Sequence, residues 1–419
     1  MSVENRRIVM GVGDSPSGVL SYGILADYLT RATSKHFQWN FIVNGYTHGP
    51  PELYQHYVKW ASGKNEMERD SKHVPNLIKK IRPEFILTIG DWQHFRSVRY
   101  FIEKTVPWIH WLPIDHEDPH HLRRAIQTIY RMDIPVLMSK FAFDVVREVG
   151  LDVKHWVYPF VQTRPLPKYM GDNKFGGFNV LTDQKQLESL GRMRAEIGAV
   201  NKHVLLWVGR PGWRKNLEML LGAFRLLLDR GRKDVLLFLH TDPHDTCAVF
   251  DMGKQIHSHR IPQELIKFTT DLEWDVGSPK WYLNGLYNLA DLYVSTHGGE
   301  GFGIPIAEAM ACETPFVVTD CTTTPELGQD EDGKWVRGLG ARVDEQHDDR
   351  GVVRPYVDIE DFCDKVEWML DHEDERERMG KAGRSWVIKN CSIPVVTKKW
   401  MKIFDETTIK KVQIGGINE

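Results

Sequence analysis

The chain has 419 residues, 42% hydrophobic and 26% charged, with a formal net charge of −3. This is the composition of an ordinary globular protein long enough for two domains with separate cores, and it excludes a disordered chain. No run reaches the ~18–20 apolar residues of a membrane span, and the opening MSVENRRIVMGVG lacks the apolar core of a signal peptide.

The five cysteines (Cys247, Cys312, Cys321, Cys363, Cys391) are odd in number and far apart, so reduced thiols in the cytoplasm are expected, not a disulfide frame or a zinc site. The charge is unevenly divided. Residues 1–170 hold 22 Lys and Arg against 17 Asp and Glu, or +5, which leaves 32 against 40, or −8, for the remainder. A basic first half suits an anionic partner such as a phospholipid surface, a phosphorylated acceptor or nucleic acid, although +5 is unremarkable for a domain of this size. Any membrane contact is expected to be peripheral.

In chain order, Ile8–Gly11 reads as a buried strand entering a glycine loop with Gly11, Gly13 and Gly18, followed by a helix over 19–29. That order brings backbone amides towards a phosphate, although the spacing is neither a dinucleotide fingerprint nor a P-loop. Strands are predicted at 39–44, 85–89, 108–112, 136–139 and 156–160, and helices at 74–81 and 141–149. Loops at Gly90-Asp91-Trp92-Gln93-His94 and at Pro113 to His121 fall on the strand-end side, where open α/β sheets bind ligands. His116, His120 and His121, with Asp115, Glu117 and Asp118, lack helical i, i+4 spacing and mix hard with borderline ligands, which disfavours a metal.

Residues 164–190, rich in Pro, Gly and polar side chains, read as a linker. A short helix follows over 190–197. The second domain opens with a strand at 204–208 and the loop Gly209-Arg210-Pro211-Gly212-Trp213-Arg214-Lys215-Asn216, then an amphipathic helix through Leu217, Leu220, Leu221, Phe224 and Leu227. Further strands are expected at 235–240 and 265–269, then an acidic loop over 271–278 and a helix near 281–289. Residues 329–354 are polar and read as an insertion whose Asp330-Glu331-Asp332 is solvated. Helices over 358–370 and 392–404 finish the chain.

The most informative stretch is 291–320, DLYVSTHGGEGFGIPIAEAMACETPFVVTD, a strand, glycine loop, helix and strand. Gly298, Gly299, Gly301 and Gly303 let the backbone approach a ligand, Pro305 suits a helix start, and the first-turn amides form a seat for a phosphate. A carboxylate beside that seat would repel a phosphate, so Glu300 and Glu308 are better used to accept hydrogen bonds from sugar hydroxyls.

The run Glu300-Gly-Phe-Gly-Ile-Pro-Ile-Ala-Glu308, with Ala309-Met310-Ala311 and Thr314-Pro315-Phe316-Val317-Val318, resembles the donor-binding motif (E-x7-E) of the retaining GT-B glycosyltransferases of family 4. The resemblance covers residues 195–400 with specific motifs and the first 165 in outline. It implies an α/β protein of two facing Rossmann-like, doubly wound domains. These are an acceptor-binding domain over 1–165, a linker over 166–194, a nucleotide-sugar domain over 195–390, and a helix and tail over 391–419 that cross back.

By the same resemblance Glu300 lies by the donor sugar and diphosphate and Glu308 holds the ribose. Arg210 and Lys215 grip the diphosphate, with Arg214 an extra cation. Gly13, Gly209, Gly301, Phe302 and Gly303 line the donor site. A histidine near the donor anomeric carbon is His110 or His116; Asp115 with His116 matches the loop position better. Pro159 to Thr163 departs from the family's His-Gly-Val-Asp stretch, and Thr322 to Glu326 resembles the loop that helps close the donor site. The implied activity is a retaining, metal-independent hexosyl transfer from a UDP- or GDP-linked sugar, a co-substrate needing no further cofactor. Its acceptor stays open between a glycan, a lipid-linked sugar, a small molecule and modified nucleic acid. Alternatives are a nucleotide-sugar epimerase of GT-B architecture and a glycosyltransferase of modified nucleic acid.

Overall fold

The computed structural model describes residues 6–16, 21–44, 51–54, 56–102, 106–164, 177–269, 278–347 and 352–415. Gly18, linker residues 165–176 and the acidic 271–277 stretch lie outside these.

Two sheets organise the chain. The first contains β1 (Arg7–Gly13), β2 (Phe37–Val43), β3 (Glu52–Leu53), β4 (Tyr57–Ala61), β5 (Ile86–Ile89), β6 (Trp108–Leu112), β7 (Ile134–Leu137) and β8 (His155–Trp156). Their order is β3-β4-β2-β1-β5-β6-β7-β8, parallel except for the β3–β4 edge pair. The second contains β9 (His203–Val208), β10 (Val235–His240), β11 (Ile266–Phe268), β12 (Leu292–Ser295), β13 (Phe316–Thr319) and β14 (Leu339–Ala341), ordered β11-β10-β9-β12-β13-β14 and parallel throughout. Both read as continuous apolar runs because helices cover both faces and each strand is buried from two sides. Each sheet reverses its winding once, between β1 and β5 and between β9 and β12, and the loops leaving those strands flank the crevices where such sheets hold ligands.

The expected architecture of two facing domains with a returning helix is therefore observed. The helix Ile393–Gly415 buries Val396, Trp400, Ile403 and Phe404 in the core of the first sheet, with Trp400 against Trp111 and Phe404 stacked on Phe85. Two crossings run side by side, since the Val161 amide donates to the Cys391 carbonyl at 2.9 Å. Tyr158, Val161 and Phe178 already pack in the second domain's core.

The helix predicted at 190–197 is longer, Gln184–Glu196, because Asp183 caps its start by accepting from the Lys185 and Gln186 amides. The expected insertion at 329–354 is corrected. Leu339–Ala341 is the sixth strand of the second sheet, and β15 (Val343–His347) with β16 (Val353–Val357) forms an antiparallel hairpin reaching the interdomain cleft. Asp330 sits in an exposed turn, accepting from the Asp332 and Lys334 amides. No helix among the described residues is long and apolar enough to cross a membrane.

Candidate active site

A cavity of about 900 Å³ separates the domains, walled on one side by the loops after β9 and β12 and on the other by those after β1, β5 and β6. The loop after β9 makes one tight turn at Trp213–Lys215 and leaves it through Asn216 in the left-handed region, φ 46°. It is stitched to the loop after β12, where the Gly298 amide donates to the Arg214 carbonyl at 2.8 Å and the Thr296 hydroxyl to the Asn216 carbonyl at 2.8 Å.

This stitching delivers two cations to one carboxylate. Glu300, 7% exposed, accepts from the Lys215 ammonium and from Arg214 Nη1 at 3.0 Å. Its amide donates to the Thr322 hydroxyl at 3.0 Å, and the Thr323 hydroxyl donates to the carbonyls of Glu300 and Phe302. Burial alone would push the Glu300 carboxyl up, but Lys215 and Arg214 outweigh it and hold it well below the usual carboxylate range. Glu300 is thus an ionised, buried acceptor.

Gly299 and Gly301 serve the approach of the first domain as much as that of a ligand. A Cβ at Gly301 would lie 2.3 Å from the Pro113 Cβ, and one at Gly299, where φ is 145°, would lie 2.1 Å from the Asp115 carbonyl oxygen. The helix Ile304–Ala311 follows without a side-chain cap, and Gly303, Ile304 and Pro305 at its start line the cavity.

Arg210 lines the cavity but points elsewhere. Its guanidinium holds Asp245 with two bonds of 2.7 and 2.8 Å, and its side chain is 60% exposed. Glu308 is half-buried outside the cavity lining, accepting from the Tyr287 hydroxyl at 2.9 Å; burial raises its carboxyl to about 7, against the pull of Tyr287 and Lys280. Gly209, Phe302 and Gly303 line the cavity, whereas Gly13, at the end of β1, does not.

On the opposite wall, Asp115 accepts from Arg354 Nη2 at 3.2 Å and faces Arg214 Nε at 3.5 Å; burial would raise its carboxyl, yet the two guanidinium groups lower it. His116 is 6% exposed, lines the cavity, and its Nδ1 has no hydrogen-bond partner among the described residues. Burial lowers its imidazole to about 4, so it is neutral near pH 7. His110 is corrected as a cleft residue. It is fully buried mid-strand in β6, its Nδ1 shared with the Thr88 hydroxyl and its ring against Phe95 and Trp108. It sits mid-strand in a sheet covered on both faces, so neither side of β6 reaches the cleft, which opens beyond the strand's end where Asp115 and His116 lie. Among the described residues no group of three or more His, Cys, Asp or Glu is arranged to hold a metal ion.

Arg354 was not expected from sequence, whereas Asp91 lies in the 90–94 loop expected on the strand-end side. Arg354, on the hairpin, donates to the Asp115 carbonyl at 2.8 Å and lies over the Trp213 ring at 4.6 Å. Asp91, after β5, accepts from the Tyr22 hydroxyl at 3.0 Å. The β-branched Val352-Val353 followed by Tyr356-Val357 was the available strand signal for the hairpin.

Residues 202–372 match the sequence profile of the family described as Glycosyl transferases group 1. No curated protein sequence matches. Among solved structures, sucrose-phosphate synthase from Thermosynechococcus elongatus superposes with a TM-score of 0.71 at 15% identity, covering 96% of this chain and 99% of that one. HepE of Anabaena in complex with UDP-glucose gives 0.70 at 13% identity over 96% and 100%, and α,α-trehalose 6-phosphate synthase from Burkholderia multivorans 0.69 at 12% over 98% and 98%. The fold is therefore GT-B.

Proposed function

We propose that the protein is a retaining glycosyltransferase that moves a hexosyl group from a nucleoside diphosphate sugar to a hydroxyl acceptor without a metal ion. The observation carrying this reading is the cluster of Lys215, Arg214 and Glu300 at the second sheet's winding reversal, beside a helix start with uncapped amides. The match of residues 202–372 supports it, and the UDP-glucose bound by the HepE neighbour favours a uridine over a guanosine donor.

As the C1–oxygen bond to the diphosphate breaks, negative charge grows on the leaving oxygen, where fixed cations and amides act most strongly. Lys215 and Arg214 supply that charge, and Arg210 joins on release from Asp245. Glu300 takes the donor sugar's hydroxyls, Glu308 those of the ribose, and the neutral His116 uses its free Nδ1 for a hydroxyl beside C1. Asp115 is engaged by Arg354 and Arg214 and so is a poor nucleophile. This favours front-face attack, in which the acceptor oxygen bonds to C1 on the face the diphosphate leaves and passes its proton to the departing phosphate oxygen.

The test is a thermal-shift panel of nucleotide sugars, in which a ligand at 100 times its Kd stabilises by ~2.7 kcal/mol. NMR of the product's anomeric proton follows. Inverted product would sink the retaining mechanism, and donor turnover without any acceptor would favour an epimerase.

A further inference from the structure

The loops leaving β1 and β5 flank the first sheet's winding reversal and form the cavity's far wall. Asp14 follows β1, Asp91 follows β5, and Glu66 completes a wall of three carboxylates. Asp91 is spent on one side only: Oδ1 accepts from Tyr22, while Oδ2 has no partner among the described residues. Glu66 bonds His94 Nδ1 at 2.6 Å.

The cations of this wall do not offset it. Arg69 is 1% exposed and committed to Asp70 at 2.7 Å, to Asn44 at 2.9 Å and to the His94 carbonyl, while Lys64 stands exposed. Among the described first-domain residues that line the cavity, Lys64 and Arg69 are outnumbered by Asp14, Glu66, Asp91 and Asp115. Burial raises the Asp91 carboxyl, against the Tyr22 hydrogen bond and with the help of Asp115, and a phosphate dianion would add to that strain. A second observation points to a ligand at the same place. His116 is more than nine-tenths buried and lines the cavity, and its Nδ1 lacks a partner among the described residues, a state that buried polar atoms rarely keep.

We propose that the first-domain end of the cavity binds an uncharged polyhydroxylated acceptor, a sugar or polyol without phosphate, which donates a neighbouring, non-reacting hydroxyl to the Asp91 carboxylate and sets its attacking hydroxyl beside the His116 imidazole. A carboxylate only accepts hydrogen bonds, so it selects hydroxyl donors and repels an anionic competitor. The inference rests on the transferase reading above and adds the class of its second substrate.

The experiment compares matched acceptors, glucose against glucose 6-phosphate and inositol against inositol phosphate, using the full-length protein and the nucleotide sugar found by thermal shift. The unphosphorylated member is expected to have a kcat/KM at least about tenfold higher. Asp91→Asn should raise the acceptor KM about tenfold or more while the donor Kd, measured calorimetrically, stays within about twofold. That donor Kd also reports whether the variant is folded, and Tyr22→Phe, which frees the Asp91 carboxylate to rotate, should give a smaller shift in the same sense. Preference for the phosphorylated member, or an acceptor KM indifferent to Asp91→Asn, overturns the inference while leaving the transferase reading intact. Failure of every nucleotide sugar to bind overturns both.

Discussion

Arg354 and Asp115 meet across the interdomain cavity, the guanidinium of the second domain donating to both the carbonyl and the carboxylate of the first at 2.8 and 3.2 Å. Next to it, the Val353 amide donates to Asp118 at 3.0 Å, so the hairpin grips the loop on both sides of His116. Arg354→Ala should therefore lower kcat by roughly 10- to 100-fold with little change in nucleotide affinity, because it misplaces a reacting-side loop without touching the donor's diphosphate. Steady-state kinetics with calorimetric donor Kd check the split, and a loss of donor affinity as large as the loss of kcat would contradict it.

Closure can be tested at Gly301. A side chain there collides with Pro113, so Gly301→Val should hold the domains apart, raise the radius of gyration in small-angle scattering, and cut turnover by about 100-fold or more. Wild-type turnover in the variant would mean that the loops need not touch.

The cations should not be equivalent. Lys215 already faces Glu300, whereas Arg210 must first leave Asp245, which it holds well enough to depress that carboxyl to about 2. At ~1.5–3 kcal/mol for a charge-assisted contact, Lys215→Ala should cost about 10- to 150-fold in kcat/KM, and Arg210→Ala less. With those charges fixed in the protein, a chelator should leave turnover unchanged; abolition by chelator would show a required metal.

Glu308 gives a pH signature with two opposed signs. Its folded pKa of about 7 lies above its ordinary 4.5, so the stability it contributes is fully present below about 4.5 and is lost as pH rises through about 7. In the proposed ribose-holding role Glu308 must be ionised, so nucleotide affinity should instead weaken about tenfold per unit as pH falls below 7. Glu308→Gln should flatten both trends, read as Tm and as Kd against pH.

Much of this was legible in sequence, for physical reasons that also set the limit. The strands at 108–112, 235–240, 292–295 and 316–319 were readable because buried parallel strands are unbroken apolar runs, and the glycine loop with Glu300 stood out through residue types that few turns combine. Arg354 belongs to no such pattern; its surroundings come from loops distant in the chain. His110 shows the converse, a residue of the right type two positions before the end of a strand whose two faces are both covered. Arg214, expected as a spare charge beside Lys215, bridges Glu300 and Asp115 and so belongs to both walls.

The helix carrying Trp400 and Phe404 has a consequence for biosynthesis. The first sheet's aromatic core stays open until the ribosome has translated the whole second domain, so the amino-terminal half must wait, unfinished, for its last side chains. Removing Trp400 alone should cost ~3–5 kcal/mol. An isolated fragment ending near residue 164 is expected to precipitate, and adding the 393–415 peptide should rescue it.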